Sequence, residues 1–73
     1  MPSEFQAILL DKRFFTRKSA NAWIRKQGFH PIKQLHETEK YYRSRLINPA
    51  EFKEFRIMTL SGRIKVVLGI NNI

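Results

Sequence analysis

Apolar positions along this chain recur at two periods, and the switches between them mark out the elements. From Phe5 to Leu10 almost every residue is apolar, with Phe5, Ala7 and Leu9 on one face of an extended segment and Gln6, Ile8 and Leu10 on the other. A strand apolar on both faces belongs in the middle of a sheet. Asp11-Lys12-Arg13 breaks the run, and Phe14 and Phe15 are expected to plug the edge of the core. Thr16 then reads as the N-cap of a helix over about Arg17 to Gln27. Ala20, Trp23, Ile24 and Gln27 share one stripe, and Lys18, Asn21 and Arg25 lie opposite. Gly28 suits the left-handed position that ends a helix, with Phe29 as the accompanying apolar contact. On that stripe Trp23 is a core anchor.

Period two returns at Ile32 to His36 and at Tyr41 to Ile47, a hairpin turning through Glu37-Thr38-Glu39-Lys40. Asn48-Pro49-Ala50-Glu51 resembles a capping box with proline at the first helical position, which predicts a second helix burying Phe52 and Phe55. Its end is open. Thr59 continues the stripe while Ile57 and Met58 leave it, so Ile57 to Leu60 either extends the helix or forms a strand paired through Ser61-Gly62 with the last one. That last strand, Arg63 to Leu68, sets Ile64, Val66 and Leu68 against Lys65 and Val67, and Gly69 to Ile73 is a tail expected to fray. The order β-α-β-β-α-β is the ferredoxin-like split pattern of the α+β class. It predicts one domain over residues 1–73, a four-stranded antiparallel sheet with two helices on one face, and the third strand beside the first.

The other face of that sheet is where chemistry is expected. In Tyr41-Tyr42-Arg43-Ser44-Arg45-Leu46, alternation puts Tyr42, Ser44 and Leu46 on one side and Tyr41, Arg43 and Arg45 on the other. An aromatic and two guanidiniums in a row suit a polyanion: the ring stacks a base, and each arginine forks onto a phosphate. RNA-recognition modules of this topology stack bases on their central strands, although their K/R-G-F-G-F-V run is absent here. A second basic cluster surrounds the first helix. Arg17 and Lys18 occupy its first turn, where the dipole disfavours cations, and their presence there suggests an anion nearby; Arg25 extends the patch. Lys53, Arg56, Arg63 and Lys65 form a scatter without pattern.

Charge adds to this picture. Fourteen Lys and Arg against six Asp and Glu give a net charge of +8 over 73 residues, which favours nucleic acid, DNA or RNA, as partner. The same arginines would also suit carboxylates, so an acidic protein is the alternative partner. There is no cysteine, and His30 and His36 match no zinc spacing. Gly28, Gly62 and Gly69 stand alone, no Ser-His-Asp set is legible, and Glu37 and Glu39 sit in a polar turn beside Lys40. No metal, no cofactor and no catalytic activity are therefore expected. No apolar run approaches the roughly 20 residues that span a bilayer, and Met1-Pro2-Ser3-Glu4 lacks the basic start of a signal peptide. The expectation is an intracellular, cytoplasmic protein that does not engage membranes; the sequence leaves its oligomeric state open, a homodimer being one option.

The runs Phe15-Thr16, Ala22-Trp23-Ile24, Gly28-Phe29, Tyr42-Arg43-Ser44-Arg45, Asn48-Pro49-Ala50-Glu51-Phe52 and Gly62-Arg63-Ile64-Lys65-Val66-Val67-Leu68-Gly69 together resemble small uncharacterised proteins of bacteriophages and large DNA viruses. The resemblance implies a viral or phage origin and action inside an infected cell. It carries no function of its own. Small viral proteins of this kind often bind nucleic acid, or bind and inhibit or redirect an acidic host protein.

Overall fold

The computed structural model describes residues 3–71. They form one five-stranded antiparallel sheet and one α-helix, an α+β architecture. The strands are β1 (Ser3–Asp11), β2 (His36–Glu37), β3 (Tyr41–Arg45), β4 (Glu54–Ser61) and β5 (Ile64–Ile70), and the helix α1 is Arg17–Lys26. The sheet order is β2-β3-β1-β5-β4.

The apolar run at the N-terminus becomes the middle strand, as its two-faced pattern requires. Ala7, Ile8 and Leu10 are fully buried, with Ile8 set between Ser44 and Val66, and Leu10 between Tyr42 and Ile64. Helix α1 forms where its signals lie. Thr16 accepts from the Ser19 backbone N–H while the Thr16 N–H donates to the Ser19 hydroxyl. At the other end Gly28 has φ 82°, and the Phe29 N–H closes the helix onto the Ile24 carbonyl. Ala20 and Ile24 pack on Ile8, Leu10, Leu35 and Ile64, with Phe15, Trp23, Phe29, Tyr42 and Leu46 around them. Trp23 is a core anchor, as its stripe indicates. Phe14 is not: it is 48% exposed.

The second predicted helix is absent. Asn48 does cap, accepting from the Ala50 N–H, but the helical geometry lasts only one 3₁₀ turn, Pro49–Glu51. The chain then extends into β4, so the architecture has one helix and five strands in place of the two-helix, four-strand ferredoxin-like arrangement. The physical reason is a tertiary one. The outer edge of β5 presents unpaired backbone groups, and residues 54–61 alternate well enough to pair with it through Gly62-Arg63. Hairpin backbone bonds outweigh a short helix whose stripe Ile57 and Met58 already break. Phe52 and Phe55, expected inside, lie edge to face at 6.2 Å near the start of β4. The strand expected over Ile32 to His36 shrinks to His36–Glu37, and Ile32 bonds β3 through one N–H to the Arg45 carbonyl. The tail is firmer than expected as far as Ile70, which closes β5; Asn72 and Ile73 lie outside the described residues.

Gly69 shows why the hairpin seats where it does. A Cβ on Gly69 would fall inside the ring of Phe52, so only glycine lets that ring lie on the sheet. Gly69→Ala is expected to lift Phe52 and cost about 1–3 kcal/mol, read as a lowered melting temperature. An unchanged melt would mean that the ring is not seated there.

Candidate nucleic-acid interface

Register places the predicted residues on the helix-free face. Tyr41, Arg43 and Arg45 pair with Asp11, Leu9 and Ala7 of β1, while Tyr42, Ser44 and Leu46 point to the core side. On the far side of β1, Leu9 pairs with Lys65 and Ala7 with Val67. Arg43, Leu9 and Lys65 therefore form one row across three strands.

This face carries no helix, yet Ala7 and Val67 on it are buried. Arg45 stands opposite the small Ala7 in the β1–β3 ladder. A bulge between Phe5 and Ala7 turns Gln6 onto the same side. Gln6 is fully buried, donates to the Ile47 carbonyl at 2.9 Å and accepts from the Arg43 guanidinium at 3.3 Å. Both arginines are consequently half-buried, and the Nε atoms of both are buried with no hydrogen-bond partner among the described residues. Neither guanidinium meets a carboxylate among the described ion pairs. Burial, and after it the neighbouring charge of Arg45, pushes the Arg43 pKa below its ordinary value.

Further groups continue the ridge. Lys65 Nζ lies 5.8 Å from the Tyr41 ring centre. Past Tyr41, a cleft of about 490 Å³ is lined by Lys12, Arg13 and Lys40 together with Asp11 and Glu39. Beside it the exposed Phe14 ring is flanked by the guanidinium carbons of Arg13 at 5.3 Å and Arg63 at 4.9 Å. Around Arg45 a second cleft, of about 440 Å³, adds Lys33 and His36. Lys65 and Arg63 were legible as cations on the last strand, but their place beside Tyr41 and Phe14 depends on strand order. Lys33 and Phe14 carried no signal that singled them out.

The helix cluster does not join this face. Helix α1 covers the opposite side of the sheet, so Arg17, Lys18 and Arg25 lie away from Tyr41, Arg43 and Arg45. Arg17, although exposed, is engaged by partners of its own chain. It donates to the Leu35 carbonyl at 2.9 Å, lies 3.5 Å from the Glu37 carboxylate and sits 5.8 Å from the Tyr42 ring centre. The anion expected near the helix start is thus Glu37, an internal one. Lys18 is exposed, and Arg25 lines a groove of about 350 Å³ with Arg17, Asn21, Lys33 and Gln34. Lys33 borders both this groove and the Arg45 cleft, and so links the two basic regions around the β2 edge.

The acidic groups near these cations are mostly held by specific partners. Lys12 reaches Glu37 at 2.6 Å and holds its carboxyl below the usual range, first through that hydrogen bond. Arg13 does the same to Asp11, at 2.8 Å. A depressed carboxyl pKa contributes stability that is present above the unfolded value and lost as pH falls through the folded one. The denaturation midpoint is expected to fall as pH drops below about 4, and Lys12→Met is expected to flatten part of that decline. A midpoint indifferent to acid would show that neither pair matters.

Among the described residues no group of three or more His, Asp or Glu could hold a metal ion, and no helix is long and apolar enough to cross a membrane. Comparison with known proteins matches the chain to no protein family, no curated protein and no solved structure. The viral or phage kinship expected from the sequence draws no support from it.

Proposed function

We propose that this protein is a small, non-enzymatic nucleic-acid-binding domain, and that the ridge Arg45-Arg43-Tyr41-Lys65 is its contact surface. The observation that carries the reading is the pair of adjacent half-buried guanidiniums whose Nε atoms lack partners. Unpaired buried polar groups cost free energy, and a side chain that carries a charge costs more. A phosphate that meets the exposed parts of the two guanidiniums would give them the counter-charge that the described residues do not supply and relieve the repulsion between the two cations. Tyr41 stands in line to stack a base, worth roughly 1–3 kcal/mol. The basic rim at Arg13 and Arg63 on one side and Lys33 on the other would keep a strand in the positive field. Arg25 and Lys18 act at most as an auxiliary patch for a polymer that passes the β2 edge.

Titration of duplex DNA, single-stranded DNA and RNA at several salt concentrations tests this. With about five phosphate contacts, log K is expected to fall against log salt with a slope of roughly −3.5 for single strands to −4.5 for duplex. No binding at low salt ends the reading. Nuclease-resistant capture of an acidic protein through Arg43 and Arg45 would replace it.

A further inference from the structure

The largest feature that this reading leaves unused is β4. It is an edge strand, and every residue from Glu54 to Ser61 is exposed. Phe55, Ile57, Met58 and Leu60 are 46%, 66%, 38% and 48% exposed, and they account for most of the large exposed apolar side chains among the described residues. Proteins ordinarily blunt such an edge with proline, an inward charge or a very short strand. The opposite edge, β2, follows that rule with two residues. Within β4 there is no proline, and the only irregularity is a bulge between Thr59 and Ser61 at its far end.

We propose that β4 is a self-pairing edge, and that two copies of this chain join antiparallel through it into one continuous sheet. Charge selects the second copy as the occupant. A body of net charge +8 repels its own kind, and the arginine ridge is drawn to acidic partners. β4 carries one acid and one base, Glu54 and Arg56, and is separated from Arg43 and Arg45 on β3 by β1 and β5, while Lys65 of the ridge pairs with Thr59 of β4. The charges of β4, Glu54 and Arg56, cancel, and its apolar, nearly neutral pattern is matched by itself. With the two-fold axis at Ile57, Ile57 meets its own copy, Phe55 meets Thr59, Arg56 meets Met58 and Glu54 meets Leu60. No like charges stand directly opposite, and Ile57 meets its own copy at the centre of the seam. The same axis stands perpendicular to the sheet, so the helix-free faces of both copies become one surface. The pairing does not depend on what the ridge binds.

Sedimentation of the full chain at raised salt, from low micromolar to several hundred micromolar, provides the test. The expected mass is twice 8.7 kDa. Ile57→Lys puts two ammonium groups at the axis and is expected to weaken the dimer at least tenfold while leaving the circular dichroism spectrum unchanged, since the site is exposed. The chain has no cysteine, so Ile57→Cys reads the register directly. Mild oxidation of the folded protein is expected to cross-link it rapidly, whereas Ala22→Cys on the exposed side of α1 stays uncrosslinked. If Ile57→Lys fails to fold, the two cysteine variants decide. A single-chain mass at every concentration, a dimer untouched by Ile57→Lys, equal cross-linking of the two cysteine variants, or masses growing well beyond two copies would each overturn the proposal.

Discussion

Replacing Arg43 and Arg45 together by methionine is expected to leave the domain folded and as stable as before, or more stable by about 1 kcal/mol, while nucleic-acid affinity falls by one to two orders of magnitude. The two outcomes have one cause. Each guanidinium is half-buried with an unpartnered Nε, and burial, and after it the charge of Arg45, lowers the Arg43 pKa. Methionine keeps an unbranched apolar stem and removes the desolvated charge. Such replacements are often neutral or stabilising. The one bond lost inside the protein is Arg43 to Gln6, at 3.3 Å. Loss of two phosphate contacts is expected to make the slope of log K against log salt shallower by about 1.4 for single strands or 1.8 for duplex. A gain in melting temperature with a loss of binding marks residues held against the interest of the fold. Loss of both stability and binding would make the arginines structural, and unchanged binding would remove the ridge from the interface.

Ile8→Ala is expected to have the largest effect on folding. Ile8 is fully buried at the centre of β1, between Ser44 and Val66 and beneath α1. Truncation there loses about 2–5 kcal/mol, against a total that for a small domain is rarely far above the low end of 5–15 kcal/mol. The variant should be largely unfolded at 37 °C, or show a denaturation midpoint less than half that of the parent. Ile57→Ala provides the contrast. The same residue type, 66% exposed on β4, should change the stability of a single chain by less than about 0.5 kcal/mol. Equal effects at the two positions would contradict the burial difference on which the core assignment rests.

Local chemistry made part of this molecule legible in advance. The two-faced apolar run of β1, the capping box at Thr16, the helix stripe, Gly28 at its end and the inward face of β5 each depend on neighbours within a few residues. Their periodicity and caps act whatever the rest of the chain does. The alternation in Tyr41 to Leu46 likewise set which side chains share a face, and the structure keeps that division. The second helix shows the limit. Asn48, Pro49 and Glu51 are good start signals, and they produce one turn. Whether that turn propagates depended on an edge of β5 distant in sequence, which residues 54–61 pair with instead.

The candidate interface divides in the same way. Tyr41, Arg43 and Arg45 are a local pattern, readable from period two alone. Lys65 beside Tyr41, Gln6 beneath Arg43 and Phe14 between Arg13 and Arg63 are products of strand order and of a bulge, which bring together residues far apart along the chain. The helix cations fell on the opposite side for the same reason, because a helix that buries its stripe against one face of a sheet cannot present its charges on the other. Side-chain alternation and capping are short-range and travel with the residues themselves. Which strands become neighbours, which edges stay bare and which charges are left without partners follow from how the whole chain minimises unpaired backbone and exposed apolar surface.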